Sequence, residues 1–541
     1  VVSTSTEKKE ESQVSRRGFL KTAGAGVVGL AVGAGLGYSV SSMEGKGPAA
    51  TVTVTTGGPA GAGIFSIPVE GDTVAERCMN AMKFVVKRDN LAGQELVVMH
   101  PGGDVGNYDA NVPEFESGTG MKFKHSEVPL NEMFDKAMLE AVSKTGAYDV
   151  FSLQPAWIAD IVESGLVIET TPYERYFDNR VSGEPDGFIY PMDRFMAEYK
   201  GKRWAIVHDT DLFFTYMNLN FLDDENEKEA FEKQFGYKLA APDTWQQYID
   251  IASHFYRPDQ NLYGAVELRS VDRGYINWFA YYSSKKYPCA FPFDDDMRPL
   301  ITGTEGVKAT EEFLESLKYM PKETPSWDFQ PGYAVFYRGE AALTFNFPSL
   351  ANQVINPEIS KVVGKFTTSV VPGSIVKGPD GTDILLRRTV QGAGWVHFVN
   401  NYSKKKDLAM LYAMWHNSPE KGPIAVAVKG SWKDPSRYNE CGPNADPRII
   451  ETRAPRYSRV AETTLDSARF AVPVIAGIRG AFEYNLTLSK NLNSAMLGLM
   501  DAETALRKTA EEWEKTTDRI GRDKQVEAWR ALKKWYPTAI T

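Results

Sequence analysis

The stretch Arg269-Ser-Val-Asp-Arg-Gly-Tyr-Ile-Asn-Trp-Phe-Ala-Tyr-Tyr282 mixes arginine, aspartate and asparagine with aromatic rings. Such a mixture can do non-covalent chemistry: flat ring faces cover the C–H side of a sugar ring, and forked polar groups bond its hydroxyls. Covalent chemistry has less to work with. His100, His125, His208, His254, His397 and His416 show neither His-Glu-x-x-His spacing nor nearby cysteines, so no metal site is expected. Gly-x-Ser-x-Gly and the phosphate-binding loop ending in Lys-Ser/Thr are absent, and Gly102-Gly103 alone is too little for a nucleotide site. No catalytic residue and no cofactor is expected.

The elements that must position such groups alternate. Apolar Cys78, Met79, Met82, Phe84, Val85 and Val86 fall at helical spacing between Val74 and Leu91, and Glu95 to His100 reads as a buried strand ended by Pro101-Gly102-Gly103. A strand at Met121 to His125, a helix from Asn131 to Lys144, a strand at Tyr148 to Leu153 and a helix over Trp157 to Ser164 follow. Strands alternating with helices imply a parallel sheet. In such sheets a ligand lies outside the strand carboxyl ends, which makes Gly102, Asp104, Gln154 and Trp157 the first site candidates. Turn formation and surface capping are the competing reading for each.

The 541 residues are 43% hydrophobic and 24% charged, a soluble globular composition that predicts two or three domains. A net charge of −9 excludes the basic surface that phosphate-backbone binding needs, so nucleic acid is not an expected partner. Of Cys78, Cys289 and Cys441, the last two form the conceivable disulfide, and buried free thiols are the alternative.

Near the start, Ser15-Arg16-Arg17-Gly18-Phe19-Leu20-Lys21 precedes a glycine-rich apolar stretch without charge until Glu44. This resembles a twin-arginine export signal, which predicts a folded chain carried across the membrane, free or held at the membrane surface through residues 1–44. Residues 45–65, rich in Gly, Pro, Ala, Thr and Val, read as an exposed linker.

A family resemblance emerges from several motifs in order. They are Phe115-Glu-Ser-Gly-Thr-Gly120, Tyr148-Asp-Val-Phe151 with Ser164-Gly-Leu166, Lys200-Gly-Lys-Arg-Trp-Ala-Ile206 with Tyr216-Met-Asn218, and Ala241-Pro-Asp-Thr-Trp245. Phe336-Tyr-Arg-Gly-Glu-Ala-Ala-Leu343, Gly394-Trp-Val-His-Phe398 with Ser403 to Ala409, and Pro473 to Leu506 continue the series. Together they resemble the extracellular solute-binding proteins of ABC importers, the maltose and carbohydrate type. The resemblance implies a type II periplasmic-binding-protein-like α/β fold: two lobes, each a mostly parallel sheet flanked by helices, with a ligand cleft between them. The lobes would comprise 66–208 with a return segment 391–457, and 209–390 with C-terminal helices 458–541. Thr244 or Asp243 would cap the helix running to Phe255.

The resemblance also assigns positions. Arg273 and Tyr275 fall where the family contacts ligand at a helix start, Asp209 and Asp211 at the lobe crossing, Asn346 and Phe347 in a loop beside Pro348, and Tyr484 before the last helices. Ser349 replaces the family's usual tryptophan, and Trp157 would line the opposite wall. Gln391 and Trp395 mark another crossing, with Trp395 read as core because it lies in an apolar strand; Trp278 is read as core too. Implied partners are a small-molecule ligand, taken as a sugar or oligosaccharide, and a membrane permease with its ATPase, served by a monomeric protein outside the membrane. Two readings stay open beside it: the same fold holding a polyamine, metal chelate or peptide, and a secreted glycoside-active enzyme, which needs two acids about 5 to 10 Å apart.

Overall fold

The computed structural model describes residues 63–540. The export-signal reading for 1–44 and most of the linker lie outside the described residues. The linker's last residues do not stand clear of the fold: Ile64 begins a short 3-10 helix and is buried, as is Ile67.

The helix Val74–Arg88 starts at a capping box, in which Thr73 and Glu76 satisfy each other's backbone N–H groups. It buries Cys78, Met79, Met82, Val85 and Val86 and leaves Phe84 partly exposed. That apolar face packs on the helix Lys406–His416. The helix Trp245–His254 has the same device, Thr244 with Gln247, so Thr244 rather than Asp243 is the cap.

Nine strands build two sheets. They are β1 (Glu95–Pro101), β2 (Lys122–Val128), β3 (Val150–Leu153), β4 (Ile206–Asp209), β5 (Phe214–Asn218), β6 (Tyr263–Val266), β7 (Ala341–Asn346), β8 (Phe366–Ser369) and β9 (Trp395–Val399). The first sheet has the order β2-β1-β3-β9-β4 and the second β8-β5-β7-β6. Both are mixed rather than mostly parallel. In the first, β1 is parallel to β2 and β3, while β9 returns antiparallel to β3 and β4. In the second, β5 runs antiparallel to β7 and β8, and only β6 and β7 are parallel. The local alternation of strand and helix cannot show this, because β5 enters the second sheet directly from the first and β9 returns to the first after the second is complete.

The crossing segments lie side by side. Thr389–Gln391 pairs in parallel with Ala471–Pro473, and Leu212 bridges Gln391. All three cysteines are free and buried. Among the described residues no helix is long and apolar enough to cross a membrane.

Candidate functional site

Carboxyl ends of strands from both sheets converge on one cavity of about 240 Å³. From the first sheet, β1 delivers Pro101, Gly102, Gly103 and Asp104, β3 delivers Gln154, and β4 delivers Asp209. From the second, the loop after β6 supplies Arg273, and the turn after β7 supplies Phe347 and Ser349. Six of the ten expected ligand residues therefore meet here: Asp104, Gln154, Asp209, Asp211, Arg273 and Phe347.

The other four are placed elsewhere. Trp157 is buried between Phe134 and Phe482, with ring centroids at 5.4 and 6.0 Å, which turns it inward. Tyr275 belongs to the fully buried helix Gly274–Ser283, where its N–H donates to Ser489 Oγ. Asn346 turns its Oδ1 back to the N–H of Phe347. Tyr484 shares hydrogen bonds with Thr517 at 2.8 Å and Gln525 at 3.2 Å inside the C-terminal helices, away from the cavity lining. Trp395 corrects the opposite expectation: it is half-buried and lines the cavity. Because β9 is antiparallel to its neighbours, its first residue stands at the edge where β4 ends, opposite Asp209, and a register shift after Trp395 frees the ring from the strand. Trp278 is core as read.

Sequence reasoning missed Phe329, Tyr333 and Trp432 on the cavity wall. Phe329 and Tyr333 lie one turn apart on the helix Phe329–Tyr337, and Trp432 precedes Lys433-Asp434 in a turn-rich segment that resembles no family motif. The signal was present: aromatic residues beside Asp328 and Asp434 repeat the pattern that singled out Arg269 to Tyr282.

The floor is acidic. Asp209 Oδ1 accepts the N–H of Asp434 at 3.1 Å and that of Asp211 at 3.3 Å. Asp211 Oδ2 accepts the Gly394 N–H at 2.7 Å. Carboxylate oxygens of Asp209, Asp211 and Asp434 lie within 4.8 Å of one another, close enough to share a cation. Asp434 is hydrogen-bonded by Arg453, and the Lys433 ammonium donates to the His208 carbonyl at 2.7 Å. Burial pushes Asp104 up to about 8 against the opposing bond from Asn107. Burial, then the negative charges of Asp211, Asp434 and Asp104, lift Asp209 well above the usual carboxylate range. Asp211 is raised by burial only to about 6, because the Gly394 N–H and the Arg273 charge favour its ionised form. Arg273 lies 4.6 Å from the Phe329 ring centroid, with its Nε 3.6 Å from Asp328. This arrangement can accept several hydrogen bonds from a small polar molecule and cover its apolar faces.

Two mixed sheets flanked by helices, with a ligand-sized cleft at their carboxyl edges, define a two-lobed protein of periplasmic-binding type. The chain belongs to the bacterial extracellular solute-binding protein family, which matches residues 103–423. It is similar to a probable amino-acid ABC transporter periplasmic-binding protein, y4oP, of Sinorhizobium fredii: 22% identical over 401 residues, covering 72% of this chain and 82% of that protein. Its fold is similar to maltose-bound MalE3 of T. maritima, with a TM-score of 0.62, 18% identity and coverage of 78% and 99% of the two chains. A ribitol complex of an ABC transporter solute-binding protein from Agrobacterium radiobacter K84 gives 0.63, 19%, and 79% and 99%.

Proposed function

We propose that this chain captures a small polyhydroxylated solute, a sugar or polyol, outside the membrane and delivers it to an ABC permease whose ATPase drives release. The observation that carries this reading is the pairing, around one cavity, of ring faces from Trp395, Trp432, Phe329, Tyr333 and Phe347 with the open acceptors of Asp104, Gln154 and Asp209. At about 240 Å³ the cavity sits below the roughly 300–1,000 Å³ of drug-sized sites, which favours a single ring or open-chain polyol over an oligosaccharide. Relatives of the same fold solved with ribitol and D-mannitol support that size class. No bond is made or broken in this reading.

In it, the lobes 66–208 with 391–457 and 209–390 with 458–541 rotate about the crossing segments, and the closed shape is the transport signal. The assignment is tested by a thermal-shift screen of the full chain against sugars, polyols, amino acids and peptides. A ligand with a Kd near 1 μM, present at about a thousand times its Kd, stabilises the folded state by about 4 kcal/mol. A shift with a sugar or polyol that is lost in Trp395→Ala supports the reading, and shifts confined to peptides overturn it.

A further inference from the structure

We propose that the solute carries a protonated amine, as an amino sugar or aminopolyol does, and that Asp104, Asp209 and Asp211 bind its ammonium group. This rests on the reading of the cavity as the solute site.

Charge is what separates an amine from a neutral polyol. Four carboxylates line the cavity; Asp328 faces Arg273 at 3.6 Å, and among the described residues Asp104, Asp209 and Asp211 have no ion-pair partner within 4 Å. Each nearby cation also faces another acid, and only Arg273 adds a charge that favours ionised Asp211 from inside the lining. Arg453 is paired with Asp434, Lys433 faces Glu440 at 4.0 Å, and Arg273 faces Asp328 at 3.6 Å. No described residue donates to Asp104 Oδ2 or Asp209 Oδ2, although both side chains are more than nine-tenths buried. Asp434 Oδ2, fully buried beside them, is also without a hydrogen-bond partner.

Ionising these carboxyls under a closed lobe is costly, and a neutral sugar offers hydroxyl donors but no charge to compensate it. An ammonium supplies three donors and the charge together. The walls suit the same group, since the faces of Trp, Tyr and Phe attract a cation and shield its neighbouring carbons. A divalent metal ion fits less well: it asks for six or more oxygen ligands, and the Asp434 carboxylate is already held by the Arg453 guanidinium. Burial raises the Asp104 carboxyl to about 8, so an ammonium that binds it near neutral pH displaces its proton, and a neutral polyol does not.

Isothermal titration of the full chain with matched pairs decides the matter: glucose against glucosamine, galactose against galactosamine, glucitol against glucamine. Each is run at low and high salt, with and without EDTA, and in buffers of different ionisation enthalpy. The expected result is an amine preference of about tenfold or more, weakened by salt, accompanied by proton release, and reduced in Asp209→Asn and Asp104→Asn. A neutral member that binds as tightly as its amine overturns the charge inference and leaves the solute site standing. Neutral binding that EDTA abolishes assigns the acids to a metal ion and overturns it as well. If no member of any pair binds, both this inference and the polyol reading fall.

Discussion

The carboxylate of Asp211 accepts the backbone N–H of Gly394 at 2.7 Å, tying two of the crossing segments together at the floor of the cavity. Both residues sit in the left-handed region, Asp211 at φ 46° and Gly394 at φ 73°. A Cβ on Gly394 would stand 2.5 Å from the Asp209 carbonyl oxygen and 2.7 Å from Met196 Cε. Gly394→Ala is therefore expected to lower stability by about 2–4 kcal/mol in urea denaturation. Asp211→Asn, which keeps an acceptor and tolerates this backbone, should cost less than Asp211→Ala. Equal losses from both Asp211 variants would show that the tie contributes nothing.

Trp395 and Tyr484 separate the cleft from the core. Trp395→Ala removes a cavity-lining ring and should weaken solute binding about tenfold, with little change in melting temperature. Tyr484→Phe loses the bonds to Thr517 and Gln525, at a cost of about 1 kcal/mol in stability, and should leave affinity intact. The reverse pattern would move the binding site to the C-terminal helices.

Asp104 gives stability a dependence on alkali. Its carboxyl is raised from the usual 3.8 to about 8 in the folded protein, so the contribution is fully present below about pH 4 and is lost as pH rises through 8. Between those limits the loss amounts to about 1.4 kcal/mol per pH unit for this one group. Melting temperatures of the solute-free chain from pH 7 to 9, above the range where the histidines titrate, should fall less in Asp104→Asn than in the parent. Parallel curves would rule out the raised carboxyl.

A stack of imidazoles sets the acid limb. Around buried Tyr108, the rings of His100, His416, His208 and His397 lie at centroid distances of 4.7, 5.2, 5.4 and 5.8 Å. Asn417 Nδ2 donates to the Ala413 carbonyl and to His397 Nδ1, and Asn417 Oδ1 faces His208 Nδ1 at 2.8 Å. This fixes both tautomers: His397 donates from Nε2 to Tyr108 Oη, and His208 donates from Nδ1. Burial lowers His397 to about 3 and holds His208 and His416 well below 6.5. A lowered folded-state pKa contributes stability above pH 6.5 that is lost as pH falls toward 3, at about 1.4 kcal/mol per unit for each histidine. Circular-dichroism melts should therefore fall steeply from pH 7 to 4, and less steeply in His208→Asn. A flat acid limb in the parent would contradict neutral, buried histidines.

The sequence by itself determined the elements and the broad class. The cap at Thr244, open in the sequence against Asp243, and the apolar face of Val74–Arg88 are local consequences of spacing, and so were readable. The rule that ligands gather at strand carboxyl ends pointed to Asp104 and Gln154, and both line the cavity because β1 and β3 are parallel neighbours. Tertiary structure alone decided strand direction. A strand's partners are chosen across long loops, so β9 could come back antiparallel and carry Trp395 to the cavity edge while the apolar run around it still read as core. It also decided which aromatic residues face the cavity: Tyr275 and Tyr484 share residue type with Tyr333, and only packing from distant helices turns the first two inward. The five histidines His100, His125, His208, His397 and His416 come together in the same way, brought from separate segments of the chain to Tyr108 or its immediate neighbours by the pairing of β1, β2, β4 and β9 and the helix packed on them.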